Sequence, residues 1–184
     1  HLQTRTKTYK IIIMKIRTII ASLFVISAMV SNAQITMPSF FNDNMVLQQN
    51  SIVTFRGTAK PNAKVTIDTG WNNKKVSTRS DDKGNWATEI STPTYGGPFD
   101  IVVSDGEAKT LKNVYVGEVW LCSGQSNMEM PLRGFTGQPV EGSLEMIAEA
   151  SSRRNIRLFR QENAWSTTPL NDITNAKWEL PTSD

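Results

Sequence analysis

Histidine is all but missing from this 184-residue chain, whose one copy is His1. After the first residue, therefore, no imidazole is available as a general base near neutral pH. Cysteine is as scarce: Cys122 alone rules out an internal disulfide. Long apolar runs are lacking too. The longest, Ile19 to Val30, is shorter than the roughly 20 residues that cross a bilayer as a helix. No Asp/Asn cluster has calcium-loop spacing, and neither a metal nor another cofactor is expected. The formal charge of +3 misleads, because residues 1–33 hold five basic residues and no acids. The remainder has 15 basic against 17 acidic residues. It contains no basic cluster, which argues against a nucleic-acid partner.

The biased start has its own logic. Met14-Lys15-Ile16-Arg17 is a basic segment, Ile19 to Val30 an apolar one, and Ser31-Asn32-Ala33 ends it with small residues. This three-part layout predicts a secretory signal peptide over about 14–33, cleaved after Ala33. Residues 1–13 read as an upstream extension. The expected location is secreted or periplasmic, with no stable membrane anchor.

From residue 34 to 113 the pattern is all strand. Met45-Val46-Leu47 and Ile52 to Phe55 are short apolar runs. Val65 to Ile67, Trp86 to Ile90 and Phe99 to Val103 follow, alternating or apolar. Gly, Pro, Asn and Asp fill the gaps, as at Lys60-Pro61-Asn62 and Asp81 to Asn85. Short strands at this spacing predict an antiparallel β-sandwich. Trp86, in an alternating strand, reads as core; Trp71, after Gly70, could instead offer a ring face to a sugar.

Val114 to Cys122 is a nearly unbroken apolar run, interrupted by Gly117 and Glu118. It predicts a strand buried on both faces, with Cys122 an inert part of it. The run stops at Ser123-Gly124-Gln125-Ser126-Asn127. In open α/β sheets, reactive groups collect where the chain leaves the carboxyl end of a strand. Ser126, two residues after Gly124, fits an exposed nucleophile flanked by backbone N–H donors. The second glycine of a Gly-x-Ser-x-Gly elbow is replaced by Met128, which argues against an ordinary α/β-hydrolase lipase. The same residues also fit a polar loop in which Ser126 or Asn127 caps a helix.

After a Gly- and Pro-rich loop, Ser143 to Ala150 has helical spacing, with Ser143 as expected N-cap. Asn155 to Arg160 alternates and predicts the second strand of a parallel α/β unit. Glu129 as a base for Ser126, or Glu118 and Glu129 as a glycosidase pair, are weaker alternatives.

The longer string GEVWLCSGQSNMEMPL, at Gly117 to Leu132, resembles the first block of the sialate O-acetylesterase family, a branch of the SGNH (GDSL-like) hydrolases. PSFFNDNMVLQQ at Pro38 to Gln49, GNW at Gly84 to Trp86, LKNVYVGEVW and NIRLF at Asn155 to Phe159 extend the resemblance in the same order. The fold it implies is mixed β and α/β. A β-sandwich accessory domain at 34–113 would precede the first part of an SGNH-type hydrolase domain at 114–184. The activity implied is carboxylic ester hydrolysis, removing O-acetyl groups from sialic acid or related sugars. Ser126 would be the nucleophile, with Gly124, Gln125 and Asn127 forming the oxyanion and substrate loop. The family's catalytic Asp-x-x-His has no match here, so this stretch alone is expected to be inactive. The competing expectation is a non-catalytic, carbohydrate-binding sandwich with a vestigial hydrolase segment.

Overall fold

The structure, a computed structural model, describes residues 34–72, 74–173 and 176–182. The leader expected over 1–33 lies outside them. Alternating side chains build seven strands: β1 (Val46–Gln48), β2 (Ile52–Thr58), β3 (Lys64–Asp68), β4 (Lys75–Arg79), β5 (Asn85–Ser91), β6 (Gly96–Ser104) and β7 (Ala108–Gly117). Two short helices follow, α1 (Ser126–Glu129) and α2 (Ser143–Ala150), and then two short strands, β8 (Leu158–Phe159) and β9 (Trp178–Glu179). The described protein is therefore rich in strand and poor in helix.

Five strands form one sheet in the order β1-β7-β6-β3-β4, and β2 pairs with β5 in a separate antiparallel ribbon. One core serves both. Val65, Ile67, Ile101, Val103, Leu111 and Val114 from the sheet are buried with Phe55, Trp86 and Ile90 from the ribbon. Each such aliphatic side chain contributes about 1.5–3 kcal/mol on full burial. Phe41, from the loop before β1, stacks on Phe55 at 4.4 Å between ring centroids. Trp86 is core, as its alternating strand predicts. Trp71 packs against the core edge-on to Phe99 rather than standing free.

Two close approaches depend on glycine. A Cβ on Gly57 would lie 1.9 Å from the Thr36 carbonyl oxygen, where Thr36 bridges to Thr58 of β2. Gly84, at φ +88°, turns the β4–β5 loop where a Cβ would lie 2.5 Å from the Ala59 carbonyl oxygen. The Asp81 carboxylate organises the same loop by accepting from the N–H groups of Lys83 and Asn85.

Several expectations need correction. The sheet is not wholly antiparallel, because β1 runs parallel to β7, Leu47 opposite Val116. The strand expected over Val114–Cys122 is the second half of β7, and it ends at Gly117. Val119 to Cys122 are exposed coil, so Cys122 is a surface thiol, not a core residue. The partner strand β1 ends at Gln48, opposite Gly117, so the ladder has no strand to continue on. The strand expected over Asn155–Arg160 shrinks to β8 and pairs antiparallel with β9, not in a parallel unit. Helix α2 spans the expected residues, but its N-cap is Gly142 in the left-handed region, one residue before Ser143.

Candidate active site

β7 delivers the chain to the serine segment. At Gly117 it is still paired, opposite Gln48 of β1, and the Gly117 carbonyl accepts from the Gln49 N–H at 2.8 Å. Glu118 follows. Gln49 Nε2 donates to Glu118 Oε1 at 2.6 Å and Gln48 Nε2 to Oε2 at 3.2 Å. The amide hydrogen bonds from Gln49 and then Gln48 favour the charged carboxylate and hold Glu118 below the usual carboxylate range. Gln48 Oε1 accepts from the Val119 N–H at 2.8 Å.

From there the backbone crosses open surface. Trp120 is 83% and Leu121 95% exposed. Gly124, Gln125, Ser126 and Asn127, the expected site residues, are all exposed and consecutive on one turn. Ser126 is the first residue of α1, with Gln125 as N-cap. The first N–H groups of a helical turn have no intrahelical acceptor, which leaves those of Ser126 and Asn127 as donors beside the hydroxyl. The turn is closed by the Met128 N–H on Gln125 O (2.9 Å) and the Met130 N–H on Ser126 O (3.0 Å). A Cβ on Gly124 would meet Met128 Cγ at 2.9 Å, so glycine lets the thioether lie across the turn.

The carboxylate nearest in sequence is committed elsewhere. Glu129 Oε1 accepts from Asn163 Nδ2 at 2.9 Å. Glu118 is likewise bound by glutamines. Among the described residues no group of three His, Cys, Asp or Glu is placed to hold a metal.

A cavity of about 510 Å³ lies nearby in the chain, lined by Leu132, Met146, Ala150, Ile156, Leu158 and Pro181 among others. None of the four site residues lines it. The Arg157 guanidinium lies over the Tyr115 ring of β7, 4.7 Å from its centroid.

No family model matches the chain. The sialate O-acetylesterases of mouse and human are each 27% identical to it, over 79% of its length. A crystal structure of a carbohydrate acetylesterase from Xanthomonas citri aligns over 82% of this chain with a TM-score of 0.73 and 28% identity. The likeness is to the sialate O-acetylesterases. The chain spans only 28% and 29% of the two curated relatives and 33% of the crystallised one. At family level, then, it resembles esterase-type hydrolases that bear carbohydrate names. The one histidine of the chain, His1, lies outside the described residues.

Sequence reasoning found the serine segment and missed what holds it. Gln48, Gln49 and Asn163 escaped because their partners lie 70, 69 and 34 residues away. The available signal was that Gln48-Gln49 and Glu118 both fall inside the strings that resemble the esterase family.

Proposed function

We propose that this chain is part of a secreted carbohydrate O-acetylesterase acting on acetylated sialic acid or related sugars, with Ser126 as nucleophile. Residues 34–113 serve as a β-sandwich accessory module, and 114–184 form the first part of an SGNH-type hydrolase domain. The observation that carries the reading is an exposed serine opening a helical turn, inside a chain similar to acetylesterases over four-fifths of its length. Ser126 Oγ attacks the acetyl carbonyl, and the N–H groups of Ser126 and Asn127 stabilise the oxyanion. The sugar hydroxyl leaves, and water then releases acetate from the acetyl-enzyme. Gln125 and Asn127 line the substrate side. The general base comes from outside residues 34–184, and no metal or cofactor takes part.

The test is p-nitrophenyl acetate hydrolysis by this chain with and without added imidazole as a surrogate base. Little turnover is expected without it. With imidazole, a rate above the chain-free background should emerge that Ser126→Ala removes. Turnover indifferent to Ser126→Ala, or none above background in either condition, overturns Ser126 as nucleophile.

The alternative, a sugar-binding module, has one observation in its favour. An open depression of about 620 Å³ on the strand-rich part is lined by Phe99, Asp100, Lys112 and Asn113, a ring edge beside polar groups. Sugar binding by the chain that Phe99→Ala and Asp100→Ala abolish would favour it.

A further inference from the structure

We propose that Glu118 is a positioning residue, which sets the take-off of the Ser126 segment through the side-chain amides of Gln48 and Gln49. Its catalytic meaning rests on the esterase reading above; its structural content does not.

An exposed glutamate is ordinarily solvated and free to change rotamer. Glu118 has both carboxylate oxygens occupied by amide donors. The two glutamines are themselves held at both ends. Gln48 Oε1 accepts from the Val119 N–H, and Gln49 Oε1 accepts from the Tyr95 N–H at 3.0 Å. The backbone beneath them is tied as well, since Thr92 Oγ1 donates to Gln48 O at 2.7 Å. Hydrogen bonds to a charged acceptor are about twice as strong as neutral ones. A carboxylate at position 118 therefore makes this the firmest point on the path out of β7.

Beyond it, among the described residues, Trp120 to Gly124 make no hydrogen bond to the rest of the protein. The next side-chain tie is Glu129 to Asn163. The serine segment is thus a span slung between two anchored carboxylates, Glu118 before it and Glu129 after it. A span anchored this way inherits its direction from the anchors. Loosening Glu118 frees one end of the stretch that bears Ser126, while the core beneath β7 stays packed.

Cys122 offers the probe, because it is exposed, unique and inside the span. A nitroxide spin label on Cys122 of the whole chain reports local mobility by electron paramagnetic resonance. Glu118→Gln keeps one acceptor oxygen and sets an NH₂ group against the other amide donor, and it should shorten the label's rotational correlation time by about twofold on the nanosecond scale of loop motion. Adding Gln49→Glu to Glu118→Gln exchanges donor and acceptor and should restore the parent value. Any fall in Tm should be small, that of one exposed hydrogen bond, and the exchange should recover it. An unaltered label signal in Glu118→Gln, or one that changes only with a fall in Tm and is not restored by the exchange, overturns the proposal. Ser126-dependent turnover with imidazole is read separately. Its absence alongside an intact label response defeats the esterase reading alone.

Discussion

Asp172 Oδ1 accepts two hydrogen bonds from Ser39, one from its backbone N–H at 2.7 Å and one from its hydroxyl at 2.8 Å. The same hydroxyl can donate instead to the Ile173 carbonyl at 2.5 Å. Close by, Trp178 Nε1 donates to the Phe40 carbonyl at 2.9 Å. The Pro38-Ser39-Phe40-Phe41 string thus fastens the late part of the chain to the early part, while Phe41 reaches into the core.

Ser39→Ala should cost about 1 kcal/mol, the net worth of an ordinary hydrogen bond, in urea denaturation. The loss should shrink in acid. Burial pushes the Asp172 carboxyl up, but the Ser39 and Ile173 hydrogen bonds and the Arg56 charge outweigh it, so its folded value lies below the ordinary 3.8. A depressed folded value means stability that is complete above the unfolded value and lost as pH falls through the folded one. The difference between parent and Asp172→Asn should therefore be constant near neutrality and narrow below about pH 4.

Ser126→Ala should remove the serine-dependent acetyl-ester hydrolysis that imidazole supports, with no change in Tm, since Ser126 is exposed and its side chain holds nothing in place. In a protein that supplies its own base, the same change should lower kcat by about 10³-fold or more, measured with p-nitrophenyl acetate.

Cys122 should react as a surface thiol. Under native conditions one equivalent per chain should titrate with dithionitrobenzoate at the rate seen in urea, within about threefold. A thiol that reacts only after unfolding would contradict its exposed position.

Phe55→Ala should cost about 3–5 kcal/mol, because the ring is fully buried and stacked on Phe41. Gly57→Ala should cost about 1–3 kcal/mol by pushing a methyl group into the Thr36 carbonyl and breaking the bridge between Thr36 and Thr58. Equilibrium unfolding of each variant measures both.

Much of the strand-rich part was legible from period-two alternation, because Val65, Ile67, Ile101 and Val103 report burial directly in the sequence. β4 was not: Lys75 to Arg79 is polar, at the sheet edge, with no fully buried side chain. Val119 to Cys122 misled for the opposite reason. Their composition is that of a buried strand, yet burial depends on what stands opposite, and among the described residues nothing covers them. The serine was visible as a motif. Its supports were not, since a contact between Gln49 and Glu118, or Ser39 and Asp172, leaves no local period to read.

The pairing of β1 with β7 carries a last implication, for synthesis. β1 is made early, but its sheet neighbour ends at Gly117. A nascent chain leaving the ribosome must hold Val46 to Gln48 unpaired until some seventy further residues have emerged, at roughly 5–20 residues per second. During that interval β1 lacks its sheet partner, and a chaperone or a neighbouring polypeptide could pair with it first.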